Sequence, residues 1–244
     1  MPTTFETGHT INVARFEDLI SLCEGFGLIY NPAQMHLKVD ALKSLRRLAE
    51  ESLTGIASKQ PDYNHAVAER EAIFATISPL TTRIISALIA SGVPKRSIDN
   101  AKTIIRKLQG QRATPIAPTD PNSTEPAPKT ISASQMSFDS RIGNFERLVE
   151  ILAAEPEYRP NEVPLQTATL QALLLDLKAK NTAVINANTA LINARIARDK
   201  VLYQDTHCLL NTVVETKAYV KSVFGSKSTE YQNVSKLKFS KKNY

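Results

Sequence analysis

Between Leu165 and Phe224 the chain contains neither glycine nor proline, sixty residues with nothing in them that breaks or redirects a helix. At ~1.5 Å per residue that stretch could form a single helix of about 90 Å. No alternating run of β-branched residues offers a strand anywhere in the chain. The expected class is therefore all-α. A composition of 42% hydrophobic and 22% charged residues can bury a core, so wholesale disorder is excluded.

Apolar periodicity places helices at about 12–26, 32–54, 61–91 and 95–109 in the first half. In the second half it places them at about 139–154, 161–187, 190–224 and 228–238. Leu37, Leu42, Leu45, Leu48 and Ala49 share one helical face. Asn31-Pro32 offers a start for that helix, and Gly55 a stop. Pro61-Asp62 opens the next helix, Pro79 predicts a kink within it, and Gly92 followed by Pro94 ends it. Gly25-Phe26-Gly27 reads as a helix end and not as a phosphate loop.

The two halves resemble each other. Phe16-Glu17-Asp18-Leu19-Ile20 matches Phe145-Glu146-Arg147-Leu148-Val149. Tyr30-Asn31-Pro32 with Leu37, Leu42 and Leu45 matches Tyr158-Arg159-Pro160 with Leu165, Leu170 and Leu173, at an offset of 128. Asn64–Phe74 matches Asn193–Tyr203 at 129, and Gly92, Ile98, Asn100 and Ile104 match Gly225, Tyr231, Asn233 and Leu237 at 133. Kept order with slowly drifting spacing is the signature of a tandem duplication. The expectation is a duplicated antiparallel helical bundle, with three to four helices per half. By this register the counterpart of the 55–61 turn falls near 184–190, where Asn186, Asn188 and Thr189 supply turn chemistry. A hairpin is expected there in place of one long helix. Ala183, Ala187, Ala190, Ala194 and Ala197 give that region a small-residue face.

Residues 110–137 carry five prolines among Ser, Thr and Ala, the composition of a semi-rigid connector. The expected divisions are 1–109, a Pro-rich linker at 110–137, 138–239, and a basic tail at 240–244. Whether the halves form one fused bundle or two is left open by the sequence.

The formal charge of +6 is concentrated at one end. Residues 217–244 hold Lys217, Lys221, Lys227, Lys236, Lys238, Lys241 and Lys242 against Glu230 alone, which accounts for the entire excess. These seven lysines are the candidate polyanion-binding residues, for nucleic acid or an anionic membrane surface. A solvated helix end and tail is the simpler account, because the bidentate arginines of strong nucleic-acid readers are absent there. The N-terminus lacks the basic and apolar regions of a secretory signal, and the uncharged stretches 163–175 and 181–194 are too short to span a bilayer. A cytoplasmic protein is expected. The unpaired Cys23 and Cys208 suit a reducing compartment and exclude a disulfide scaffold, a cysteine-based zinc site and an iron–sulfur cluster.

No signature of catalysis or cofactor binding is present: no Walker loop, dinucleotide turn, nucleophile elbow or His-Glu-x-x-His. His9, His36, His65 and His207 are scattered. Asp62, His65 and Glu69 share a helical face, but His65 aligns with Ala194, so no second ligand set follows and a surface pair is expected. His207 and Cys208 are adjacent on a helix and diverge by about 100°, so they form no dyad and Cys208 reads as core. Of the aromatics in Tyr219–Tyr244, Tyr231 is expected to pack inward with Leu237, leaving Phe239 and Tyr244 free. No catalytic, cofactor or metal residue is assigned, and no small-molecule substrate is implied.

The segments NARIARDKVLY, KSVFG and SKLKF resemble uncharacterised all-helical bacterial proteins of unknown function, mainly over the second half. That resemblance implies a helical fold and brings no activity or site with it. The functional expectation is a non-enzymatic structural or protein-interaction bundle that associates with itself or with other subunits. A nucleic-acid-associated protein and a membrane-active helical protein are the alternatives.

Overall fold

The computed structural model describes residues 8–111 and 136–240. Among these residues there are eight α-helices and no strand: α1 (His9–Gly25), α2 (Val39–Ala75), α3 (Ile77–Ala90), α4 (Lys95–Leu108), α5 (Phe138–Ala154), α6 (Thr167–Asp199), α7 (Leu209–Phe224) and α8 (Thr229–Lys236). The class is all-α, as expected. Most of the Pro-rich segment, and Lys241, Lys242 and Tyr244, lie outside the described residues.

The breaks between helices differ from those expected. α2 runs unbroken through Gly55 and Pro61. Buried positions on either side, Ala49 before and Ala66 and Phe74 after, hold it in register, so packing overrides the local cost of a glycine and a proline. The helix also begins later than Pro32, because Met35–Leu37 forms a 3₁₀ turn first. Pro79 acts one turn before its own position. Lacking an N–H, it cannot donate to the Ala75 carbonyl, and the chain breaks at Thr76 while Pro79 occupies the first turn of α3, where donors go unused.

The hairpin expected near 184–190 does not form. α6 is helical to Asp199, a π-helical segment follows at Lys200–Gln204, and the corner comes at 205–208. Upstream in α6, Asn181 is buried and bonded at both ends of its amide: Nδ2 donates to Asp139 Oδ1 at 2.8 Å, and Oδ1 accepts from Arg70 at 3.2 Å. Several helix ends match expectation. Gly92 and Gly225 adopt φ of +71° and +87° just past α3 and α7, in the left-handed region that glycine tolerates. Ser137 and Ser228 cap α5 and α8 by accepting from the Ser140 and Tyr231 amides, each at 3.1 Å.

The chain forms two compact units, and each combines segments from both sides of the Pro-rich stretch. One comprises Met1–Tyr63 with Ala187–Tyr244, and the other Asn64–Asn186. Thus α2 and α6 each contribute to both units. The core of the first contains Val13, Phe16, Leu19, Ile20 and Cys23 of α1, Leu42 and Ala49 of α2, and Leu202, Leu209, Val213, Val220 and Val234. Tyr231 and Leu237 pack against this core as expected, and Phe239 does so contrary to expectation. Leu48, expected to face inward, is largely exposed.

The core of the second unit contains Ile142, Phe145, Leu148, Val149 and Leu152 of α5, and Leu170, Leu174 and Leu177 of α6. These pack with Phe74 of α2, Ile77, Ile84 and Leu88 of α3, and Ala101, Ile105 and Leu108 of α4. Matching contacts recur in the two units. Tyr30 Oη donates to the Leu37 carbonyl at 2.7 Å, and Tyr158 Oη to the Leu165 carbonyl at 2.9 Å. The His9 ring meets Tyr203 at a centroid distance of 5.6 Å, and Phe138 meets Phe74 edge-on at 4.8 Å.

The helical stretch Val39–Ala90 contains an 18-residue window of mean hydropathy 1.6, long and apolar enough to cross a membrane by length and composition. Its uncharged runs are short because Arg83 interrupts them, but one charge barely lowers a mean over the window. In the folded unit, Phe74, Ile77, Ile84 and Leu88 from this stretch are core residues, and 28% of the window is buried.

Candidate functional site

Among the described C-terminal lysines, Lys217 and Lys238 border one hollow of about 220 Å³. Lys217 is half-buried on α7, donates to the Leu237 carbonyl, and stands 5.3 Å from the centre of the Phe239 ring. Desolvation lowers its pKa, and the neighbouring charge of Lys238 adds to the effect. Lys221 lies 5.8 Å from the Tyr231 ring centre. Both side chains thus contribute to holding α8 and the segment after it. Lys227, Lys236 and Lys238 are exposed.

The histidines separate into three settings. His65 pairs with Glu69 at 3.4 Å on the surface of α2, as expected, and Lys180 reaches the same carboxylate at 3.2 Å. His9 Nδ1 lies 2.7 Å from Tyr203 Oη. His36 and His207, though 171 positions apart, stack with ring centroids 4.1 Å apart and planes inclined by 30°. Glu215 completes this group, with Oε2 2.5 Å from His36 Nε2. One ligand atom from each of the three side chains lies within 4.8 Å of the other two.

Local structure fixes all three positions. His36 is the middle residue of the 3₁₀ turn, which is closed by the Leu37 and Lys38 amides donating to Gln34 and Met35 at 3.1 and 3.2 Å. The next residue, Leu37, is buried and receives the Tyr30 hydroxyl. His207 projects from the corner after the π-helical segment, where the Cys208 amide donates to the Asp205 carbonyl at 3.0 Å. Glu215 lies on the second turn of α7. His36 is half-buried, whereas His207 and Glu215 are exposed. Two imidazoles and a carboxylate are a donor set suited to first-row transition metals.

Sequence reasoning missed this group. Its members come from a turn, a corner and a helix, so no ligand spacing announces them. The internal register offers no help, since it pairs His36 with Pro164 and His207 with Ser78.

Elsewhere the chemistry is sparse. A hollow of about 730 Å³ in the second unit presents Arg83 and Arg159 beside Glu157 and Glu162, charges of both signs at an open surface. A hollow of about 410 Å³ in the first unit is lined by Leu45, Leu48, Val201, Asp205, Thr206 and His207. Both cysteines are buried, and burial pushes the Cys23 thiol up to about 11, with the Tyr30 hydrogen bond offsetting part of the rise. Such a thiol is a poor nucleophile at neutral pH. No protein-family model, curated protein or solved structure matches this chain.

Proposed function

We propose that the chain is a tandemly duplicated helical scaffold, non-enzymatic, which works through its surfaces by associating with itself or with other subunits. The duplication is supported by contacts that repeat at the sequence offset. The Tyr30–Leu37 and Tyr158–Leu165 bonds are 128 residues apart, and the pairs His9–Tyr203 and Phe138–Phe74 relate their members at 129. Core residues correspond likewise, as in Phe16 with Phe145 and Leu19 with Leu148. The unpaired cysteines favour a reducing, cytoplasmic setting.

The observation that carries the interaction reading is a run of exposed apolar side chains in the segment between α1 and α2. Leu28, Ile29 and Met35 are 99%, 60% and 69% exposed within eight residues of chain. Large apolar side chains clustered in water mark contact surfaces. Sedimentation of the intact 26.9 kDa chain at rising concentration tests this. A dimer or larger species is expected, and Leu28→Asp should return it to monomer. A monomer throughout the concentration range sinks the self-association reading.

A second reading, polyanion binding, rests on the exposure of Lys227, Lys236 and Lys238 at the basic end of the chain. It competes with the purely structural account of this segment that the Lys217 and Lys221 contacts support.

A further inference from the structure

We propose that His36, His207 and Glu215 bind one divalent transition-metal ion, with zinc the best fit. The donors are two imidazole nitrogens and a carboxylate oxygen, the type of set zinc accepts when a fourth position is left to water. Four ligands about 2.0–2.2 Å from zinc stand roughly 3.3 Å from one another. His36 and Glu215 are now nearer than that, at 2.5 Å, and the whole set fits within 4.8 Å. Closing on a cation therefore requires movements of about an ångström, within reach of side-chain rotation alone. His207 and Glu215 are exposed, while His36 is half-buried and held by its turn.

The surroundings suit an ion with one open position. His207 borders the hollow of about 410 Å³ in the first unit, which gives water a route to the metal, and Asp205 lines the same hollow. The metal would link the turn preceding α2 to α7 and the corner before it, segments separated by more than 170 residues of chain. A bond between such distant segments, made only in the folded chain, stabilises that state. The site is thus a staple within the scaffold, and zinc's lack of redox chemistry suits that role.

The test uses the intact chain without a histidine tag. Zinc chloride titrated calorimetrically should bind at one equivalent, and saturation should raise Tm by about 5 °C or more. His36→Ala, His207→Ala and Glu215→Gln should each weaken binding at least tenfold, whereas His65→Ala should leave it unchanged. Circular dichroism establishes that each variant is folded. For any variant that is not, imidazole NMR of the wild-type chain replaces it: zinc should shift the His36 and His207 resonances and leave those of His9 and His65 in place. Absence of zinc binding overturns the proposal. So does binding that survives loss of His36 and His207, or a shift confined to the other two histidines, and the group is then only a hydrogen-bonded, stacked cluster.

Discussion

The Tyr30 hydroxyl donates a 2.7 Å hydrogen bond to the carbonyl of Leu37, closing the loop that leads from α1 into α2. Tyr158 makes the same bond to Leu165 ahead of α6. Both tyrosines are buried, so removing either hydroxyl leaves a carbonyl without its partner. Tyr30→Phe and Tyr158→Phe should each cost about 1–2 kcal/mol in urea unfolding. If the two halves arose by duplication, the losses should be similar, and a large cost for one with none for the other would count against it.

The Cys23 thiol makes stability fall at alkaline pH. Its pKa rises from 9.0 to about 11 because burial disfavours the thiolate. Below pH 9 both folded and unfolded chains hold the proton, and its contribution is complete. Between 9 and 11 the unfolded chain releases the proton first, so the folded state loses ground. Tyr158, raised from 10.0 to about 12 by burial and then by the Glu162 charge, extends the decline to higher pH. Cys23→Ala should flatten the profile of unfolding free energy from pH 9 to 10, before the tyrosines contribute. An unchanged slope there would show that the thiol is not its source.

The lysines of the last segment should divide into two classes. Lys217→Met removes the donor to the Leu237 carbonyl and should cost about 1 kcal/mol, read by denaturant titration. Lys236→Glu and Lys238→Glu alter exposed charges and should leave stability within about 0.5 kcal/mol. If the segment grips a polyanion, these two changes should weaken binding to single-stranded DNA at low salt. Wild-type binding, if electrostatic, should also fall as salt rises. No DNA binding by the wild-type chain, or binding indifferent to salt, removes that reading.

Cutting the chain should not part it. Each compact unit draws on segments from both sides of the Pro-rich stretch. A protease site engineered between Gln111 and Met136 should therefore yield two fragments that co-elute and retain a cooperative thermal transition. Fragments that separate in native buffer would contradict this division of the chain.

Much of this architecture is legible in the sequence, for identifiable reasons. Helix type follows from apolar periodicity, which packing enforces, and the ends marked by Gly92, Pro94 and Gly225 follow from backbone geometry. The continuity of the long helices is not legible, because Pro61 and the asparagines near 186 carry strong local signals that tertiary packing overrules. The corner at 205–208 has neither glycine nor proline to announce it. The His36–His207–Glu215 group was invisible for a different reason. It exists only because one unit joins residues from opposite ends of the chain, and periodicity reports which face is buried, not which distant face it meets.

The interleaving of α2 and α6 between the two units also sets an order of events on the ribosome. Asn64–Asn186 is continuous and can close as soon as its last residues emerge. The other unit cannot, because Phe16 and Leu42 wait for Leu209 and Val213, made more than 160 residues later. At ~5–20 residues per second that wait lasts about 10–40 s, with the apolar face of α1 uncovered in the meantime. A nascent chain of this design therefore depends, for that interval, on whatever keeps its leading helix from sticking to its neighbours.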